Sequence, residues 1–548
     1  MDLDVKKTRI VLILHSHMPY VLNHGTWPHG DTWLHEVVLE SYIPILNMIN
    51  ALDEKGLKAR IMISCSPILS EQLLHPRLPD SLASYACRQI QQAEHDLEKF
   101  MNIEDARWNI PMGNFWKAWY QHRLSDFRDV FHESIPSALA KSRERQLIDV
   151  MPTSLTHAYL PLLNEGRSIH MQINAALVHQ ECIFGQRPAY MWLPECGYRP
   201  AIKDEKNAFK IGLEEYLIHN GIQATIIDQS TDVIYEDALA LNVPERLRPM
   251  SMIRMLSSIN TSQSLSLFIR HQELCSRIWS EQQGYPTHPE YLDFHKKEYD
   301  SSLRYWKVTD VKTGPENKEP YSPHIGKKQA KQHALEFVQE LEEYAKEYQG
   351  MKDDAGMICL AFDTELFGHW WFEGPHFLQS MIEYVADSTL LEMATISECM
   401  EEQEDIAKVS CASGSWGEGG TDQTWKNDTT HMLWDHIHKA EQTLQTILQS
   451  GTVSGPDKSR ILNQALRELM LMQASDWPWL ISKNTASDYA EHRFLEHHAF
   501  FEALIGIYVQ MGEREQCTWD EYHKLESIEN KDDILREITI QDWLAYSA

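Results

Sequence analysis

The first part of the chain alternates short apolar runs with longer amphipathic stretches. Residues 9–14 and 60–64 are two such runs, and residues 33–52 between them carry apolar side chains at helical spacing. A strand, a helix and a second strand in this order indicate parallel strands joined by a crossover helix. The pattern therefore predicts the opening of an α/β barrel.

Further apolar runs of strand length follow at wide intervals. They comprise residues 149–155, 189–193, 223–228 and 357–362. In barrels of parallel strands, the functional site is built from residues at the carboxyl ends of the strands. The polar residues at such ends include His15, His157, Glu195 and Asp363. We therefore expect these side chains to meet in one site.

Two regions lack this strand pattern. From about residue 82 to residue 148 the sequence is polar and helical in period, which predicts a helical insertion. After residue 404, apolar residues such as Leu433, Ile437 and Leu444 recur at helical spacing. We therefore predict a barrel domain over residues 1–404, with the insertion at about 82–148, and an α-helical domain over residues 405–548.

The chain is strongly acidic. Its 80 Asp and Glu residues outnumber its 50 Lys and Arg residues, which gives a formal net charge of -30. Such a charge repels nucleic acid phosphates and anionic membrane surfaces. The composition therefore favours a neutral or cationic partner over nucleic acid or a membrane, and it leaves the oligomeric state open.

Other class signals point to a cytoplasmic protein without a cofactor. The apolar run at residues 10–14 is too short for a signal peptide, and no run approaches the ~20 apolar residues of a membrane helix. The 9 cysteines contain no Cys-x-x-Cys pair, which argues against a disulfide framework and a thiolate zinc site. No Gly-rich or Walker-type loop indicates a nucleotide.

Two acidic blocks stand in aromatic surroundings. Residues 192–198 read WLPECGY, and residues 362–371 read FDTELFGHWW. Cleavage of a glycoside with retention needs one carboxylate as nucleophile and one carboxylic acid as proton donor, about 5 to 5.5 Å apart. Glu195 and Asp363 are the candidates, although an acidic residue after a strand is more often a cap or a loop ligand.

His15 and His17 lie at i and i+2, on one face of an extended chain. They are candidates for a metal pair, with Asp363 or His157 completing the ligand set. They are equally candidates for neutral hydrogen-bond donors to sugar hydroxyls, or for purely structural bonds to the nearby backbone. Because no Asp adjoins the pair, we favour sugar contacts over a metal.

Several tryptophans stand beside polar residues rather than within apolar runs. They are Trp33, Trp279, Trp416 and Trp425. Exposed indole rings are platforms on which sugar rings stack, but for any one of these rings taken alone, packing beneath a loop is the better expectation. Asp476, within residues 475–479 (SDWPW), is placed to cap a helix or to reach a substrate.

These blocks, taken in order, resemble glycoside hydrolase family 57, and within it the 1,4-α-glucan branching enzymes with a DUF1957-type helical C-terminal domain. The likeness is carried by residues 14–20, 33–36, 40–44, 156–163, 192–198, 279–286, 362–371, 415–425 and 474–479. The resemblance implies a (β/α)7 barrel with a helical insertion, followed by an α-helical domain that completes the cleft. It implies no metal and no cofactor.

The resemblance also implies roles for individual residues. Glu195 would be the nucleophile that forms a glucosyl-enzyme, and Asp363 the general acid/base. The implied substrate-binding residues are His15, His17, Trp33, His157, Arg270, Trp279, Trp416, Trp425 and Asp476. The implied activity cleaves an α-1,4-glucan, such as amylose or a glycogen-like polysaccharide, and transfers it to a 6-hydroxyl, forming α-1,6 branches.

One departure from the family pattern keeps alternatives open. Family branching enzymes carry a tyrosine in the loop after the strand that ends near Asp228, whereas residues 244–252 here read PERLRPMSM. The nearest alternative is therefore an α-amylase-like α-1,4-glucan hydrolase. The others are a non-catalytic glucan-binding protein and a metal-dependent barrel hydrolase.

Overall fold

The computed structural model covers most of the chain. The residues it describes are 6–26, 29–203, 209–235, 243–280, 282–352, 354–401, 406–449 and 455–545. Among these residues, no helix is long and apolar enough to cross a membrane.

Seven parallel strands form the centre of the fold. They are β1 (Thr8–Ser16), β2 (Ile61–Cys65), β3 (Ile148–Pro152), β4 (Tyr190–Met191), β5 (Ala224–Asp228), β6 (Ser264–Arg270) and β7 (Met357–Asp363). Parallel pairing runs from β3 through β2, β1, β7, β6 and β5 to β4. The ring closes where the Trp192 N–H donates to the Pro152 carbonyl at 2.9 Å.

This closed ring confirms the predicted (β/α)7 barrel. Six of the strands coincide with apolar runs singled out in the sequence, but β6 was not predicted. Its sequence, SLSLFIR, alternates serine with apolar residues, and one of these serines, Ser266, is buried. Alternation over a short segment is itself a strand signal, but this segment was not predicted because it lacks a long continuous apolar run.

The alternation of side chains separates two apolar layers. Val11 and Ile13 of β1 point into the barrel, where they pack with Met62 and Cys359 in one cluster. Leu12 and its alternate neighbours point outward into a larger cluster beneath the helices. Because successive residues of a strand face opposite sides, each barrel strand contributes to both layers.

The helices surround the barrel and continue beyond it. The α-helices are Asp31–Val37, Ile43–Glu54, Pro67–Leu74, Leu78–Asn102, Ile110–Ser125, Ile135–Glu144, Gly166–Phe184, Leu213–His219, Gln272–Trp279, Pro323–Gln349, Gly374–Asp387, Ile396–Met400, His431–Gln449, Pro456–Met472, Asp476–Lys483, Ser487–Met511, Trp519–Lys531 and Ile540–Ala545. Three of them occupy most of the predicted insertion between β2 and β3. The predicted boundary at 404/405 lies outside the described residues.

Additional strands extend the sheet away from the barrel. They are Val233–Tyr235, Ile253–Leu256 and Ala407–Cys411, with Leu391–Met393 paired to β1 and a separate pair formed by Ile202–Lys203 and Phe209–Lys210. The strand Ala407–Cys411 leads directly into the loop that carries Trp416.

A buried ionic network joins the loop after β1 to the C-terminal helices. The Asp532 carboxylate lies 2.7 Å from His24 Nε2 and 3.2 Å from His497 Nδ1. Arg493 donates to the Tyr20 carbonyl at 2.6 Å and to His497 Nε2 at 3.0 Å. Because Tyr20 follows the His15–His17 segment in the chain, this network fixes that segment against the helices.

Replacement of Asp532 by Asn should destabilise the protein by about 1.5 to 3 kcal/mol, because the buried imidazoles of His24 and His497 each lose one of two carboxylate partners and keep only Glu496 and Glu468, respectively. Differential scanning calorimetry should show a clearly lower unfolding temperature. The matched control is Asp520→Asn on an exposed part of the helix Trp519–Lys531, which should stay within about 0.5 kcal/mol of wild type. Equal unfolding temperatures for the two variants would contradict the structural role of the network.

Candidate active site

Polar side chains line the carboxyl-terminal mouth of the barrel. The inward-facing positions of β1 and β7, apolar lower in the barrel, continue upward to His15 and Asp363, which are register partners. Ser64 pairs with His15 on the other side, and Arg270 pairs with Asp228. The period of two along each strand therefore converts an apolar interior into a polar cup at one end.

Glu195 enters this mouth from a strained turn. It lies just after β4, within the 3-10 turn Pro194–Cys196, and has φ 61°. Cys196 follows with φ 51°, and His157 across the mouth has φ 57°. Left-handed conformations at residues other than glycine cost about 1 to 3 kcal/mol each and are concentrated at functional sites. Here the strain aims the Glu195 carboxylate into the cup.

Two donors from beyond the barrel hold the Glu195 carboxylate. Trp416 donates its indole N–H to Oε2 at 2.6 Å, and the Ser475 hydroxyl lies 2.9 Å from Oε1. The Trp416 backbone N–H also donates to the Glu195 carbonyl at 2.9 Å. Each carboxylate oxygen therefore has a partner that belongs to a segment after residue 406.

The loop that carries Trp416 is packed tightly against Trp425. A Cβ atom on Gly417 would lie 2.7 Å from the Trp425 ring, so only glycine permits this approach. Trp425 is 1% exposed and stacks on Tyr159 with ring centroids 4.3 Å apart. Of the two alternatives for Trp425, the structure shows the packed ring rather than the open one, because Tyr159 covers its face. Its indole N–H makes no hydrogen bond among the described residues, and its proximity lowers the pKa of Glu195.

The three predicted histidines form one stacked cluster. The His17 and His157 rings lie 4.0 Å apart, and the His15 and His157 rings 4.7 Å apart. His15 uses Nδ1 on Ser64 at 3.1 Å and Nε2 on His157 at 2.8 Å. His17 is bonded to Ser66 at 2.8 Å.

The remaining nitrogens of the cluster are occupied as well. His17 Nε2 lies 2.7 Å from the Asp476 carboxylate, and His157 Nδ1 lies 2.8 Å from Ser475 Oγ. Since all their ring nitrogens have protein partners, a direct bond from these histidines to a sugar hydroxyl requires one of those bonds to be exchanged. The trio with metal-ligand spacing is His17, His157 and Asp476. It differs from the predicted metal set, which was centred on His15 and His17.

Arg270 lies beneath the cup rather than along its rim. Its guanidinium donates to Asp228 at 2.9 Å and to the Ala361 carbonyl at 3.0 Å. The Trp416 ring lies 5.5 Å from the same guanidinium. Arg270 therefore supports the indole that bonds Glu195, and its positive charge lowers the pKa of Asp363.

Burial and nearby negative charges raise the pKa values of both candidate carboxyls. Desolvation is the largest cause at each, and both values rise to about 7. The charge of Glu195 further raises the pKa of Asp363, and the charge of Asp476 raises both. Both carboxyls are therefore in the range where a carboxylic acid can donate a proton near neutral pH.

Glu365 is a third buried acid beside the pair, and it was not among the predicted site residues. Burial raises its pKa to about 7, and the Trp33 indole N–H donates to its carboxylate at 3.2 Å. The structure thus gives Trp33 a polar anchor at the mouth. Trp279 is 42% exposed and lies farther along, with its ring 5.7 Å from the Trp370 ring.

The sequence pattern also missed Ser475. A serine next to the singled-out Asp476 carries no distinctive signal, and its importance depends on the position of the turn between two C-terminal helices. Glu365 was more accessible to prediction, because it alternates with Asp363 at the end of an apolar strand.

Residues 244–252, which lack the tyrosine of the family's loop, lie away from the mouth. Arg246 pairs with Glu347, and Ser251 Oγ lies 2.8 Å from the Tyr348 hydroxyl. Residues 244–252 therefore dock on the last turns of the helix Pro323–Gln349. Part of the loop that follows Asp228, residues 236–242, lies outside the described residues.

Comparison with known proteins places this architecture in a family. The chain matches the family described as "Glycosyl hydrolase family 57" over residues 11–410, which contain the barrel except for the first three residues of β1. The chain belongs to glycoside hydrolase family 57. A second match, "1,4-alpha-glucan branching enzyme, C-terminal", covers residues 436–543. The family 57 region and the C-terminal region together contain Glu195, Asp363 and Ser475.

Three proteins illustrate what the chain is similar to. A 1,4-alpha-glucan branching enzyme of Thermococcus kodakarensis is 31% identical over 98% of this chain and 79% of that protein. A family 57 branching enzyme of Pyrococcus horikoshii has a solved structure with a TM-score of 0.88 and 30% identity, covering 98% of this chain and 97% of that one. The alpha-amylase AmyC of Thermotoga maritima superposes with a TM-score of 0.82 at 26% identity, covering 99% and 100%.

Proposed function

We propose that this chain is a retaining 1,4-α-glucan branching enzyme. It cleaves an α-1,4 linkage through a glucosyl-enzyme on Glu195 and transfers the glucan to a 6-hydroxyl. The observation that carries the proposal is the unequal hydrogen bonding of two partly buried carboxyls that both have a raised pKa. The names of two relatives that align over nearly the whole chain support the branching outcome.

The hydrogen bonds assign the single proton of the pair. Glu195 accepts from the Trp416 N–H and the Ser475 hydroxyl, which stabilises its ionised form. Among the described residues, no side chain donates to Asp363, and the Glu195 charge raises its pKa. We therefore assign the proton to Asp363 and the negative charge to Glu195 in the reactive state. One protonated acid and one carboxylate are the starting state of a retaining glycosidase.

The proposed reaction uses each carboxyl twice. A Glu195 oxygen attacks the anomeric carbon while Asp363 gives its proton to the departing 4-oxygen, which leaves a glucosyl ester. Formation of the ester removes the negative charge of Glu195, so the pKa of Asp363 falls and Asp363 becomes a base. Asp363 then takes the proton of an acceptor 6-hydroxyl as that oxygen attacks the anomeric carbon and frees Glu195.

Hydrolysis is the second candidate outcome. Water in place of the 6-hydroxyl would turn the same intermediate into a hydrolysed glucan. The likeness to an alpha-amylase along its full length favours this candidate. The two outcomes differ in what reaches the ester, so product analysis separates them.

Incubation with amylose should produce α-1,6 linkages, seen by proton NMR, faster than new reducing ends accumulate. Glu195→Gln and Asp363→Asn should each lose activity by about three orders of magnitude or more, because each removes one partner of the acid and nucleophile pair. Reducing ends without branch signals would favour the hydrolase. Full activity in Glu195→Gln would contradict the catalytic assignment.

Replacement of Asp476 by Asn should move both limbs of the pH profile of kcat/KM to lower pH, by about half a pH unit. The acid limb reports protonation of Glu195, and the alkaline limb reports ionisation of Asp363. Loss of the Asp476 charge lowers both pKa values, because that charge raises both. The matched control is Asp435→Asn at an exposed position, which should leave both limbs in place. A shift of either limb to higher pH in Asp476→Asn would refute the charge assignment.

A further inference from the structure

Ser475 lies at the junction of three segments. It precedes the helix Asp476–Lys483 and is 1% exposed. Its hydroxyl lies 2.9 Å from Glu195 Oε1 and 2.8 Å from His157 Nδ1. Its backbone N–H donates to the His157 carbonyl at 3.1 Å. Both its main chain and its side chain are therefore tied to the site.

The direction of each hydrogen bond follows from the anion. An ionised carboxylate only accepts, so the Ser475 hydroxyl donates to Glu195 and must accept from the N–H at His157 Nδ1. His157 Nε2 is then a lone pair, which accepts from the N–H at His15 Nε2 at 2.8 Å. The lone pair at His15 Nδ1 accepts from Ser64 Oγ at 3.1 Å.

This series of hydrogen bonds requires the imidazoles of both His15 and His157 to be neutral. Burial, followed by the charges of neighbouring histidines, holds the pKa values of His15 and His157 well below their usual range. With one proton on each imidazole and each hydroxyl, every donor in the chain has one acceptor. The arrangement runs in one direction, from Ser64 at the barrel mouth to the Glu195 anion.

We propose that Ser475 is a positioning residue that fixes and stabilises the Glu195 anion, with its own hydroxyl oriented by the Ser64–His15–His157 chain. This inference rests on the proposed function and deepens it. It makes the C-terminal helical part necessary for the reactivity of a barrel carboxylate. Besides His157, the titratable groups among the described residues that face Glu195 are Asp363 on β7, Asp476 beside Ser475, Tyr159 after β3 and the adjoining Cys196.

The test compares Ser475→Ala with Ser475→Thr in the full-length protein. Ser475→Ala should lower kcat by about 10-fold or more, with KM changed less than about twofold. Loss of the donor raises the pKa of Glu195, so the acid limb of kcat/KM should move up by about one pH unit. Initial rates come from the loss of amylose–iodine absorbance. Ser475→Thr keeps the hydroxyl and should restore the position of the acid limb.

Controls separate this inference from its foundation. Ser482→Ala, on the same short helix, removes an acceptor for the Asn427 amide at 2.8 Å and should leave the pH profile unchanged. Calorimetry establishes that each variant is folded. If the extra methyl group of Ser475→Thr destabilises the protein, the position of the acid limb of kcat/KM in Ser475→Ala is the deciding measurement. Suppose that Glu195→Gln is inactive, while folded Ser475→Ala keeps the wild-type kcat and the wild-type acid limb. That result would overturn only the role of Ser475. An active Glu195→Gln would overturn the proposed function itself.

Discussion

The bond between the Trp416 indole and the Glu195 carboxylate is the contact on which the site depends most. At 2.6 Å it joins a turn after β4 to a loop that follows the last strand of the extended sheet. The barrel supplies the strained turn, Arg270 supports the indole from below, and Gly417 allows its loop to close on Trp425. A barrel alone would present a carboxylate with neither of its donors.

The barrel and the segments beyond it affect the two carboxyls in different ways. The strands bring Glu195 and Asp363 into a buried cup where both pKa values rise to about 7. The segments beyond the barrel then break the symmetry of the pair, because their donors reach Glu195 and not Asp363. Burial raises both pKa values, and hydrogen bonding favours the ionised form of Glu195.

Much of this fold follows from local pattern, because a period of two in an apolar strand fixes both the interior of the barrel and the polar residues above it. Asp363 and His15 were predictable for that reason. Ser475 was not, since its role arises from a turn between helices that meets the barrel only in three dimensions. For Trp425, the local sequence pattern suggested an exposure that the fold does not provide. Its polar sequence neighbours suggested an open ring, but Tyr159 covers it from another segment.

The central claim is that Glu195 becomes covalently bound to the glucan. The direct measurement is peptide mass spectrometry after acid quenching of Asp363→Asn incubated with an α-maltooligosaccharyl fluoride, whose leaving group needs no acid. The account predicts a glycosyl mass on the peptide that contains Glu195, because attack remains possible while breakdown of the ester lacks its base. A glycosyl mass on any residue other than Glu195 would contradict it. Turnover of the fluoride without an adduct by the double variant, which carries both Asp363→Asn and Glu195→Gln, would contradict it as well.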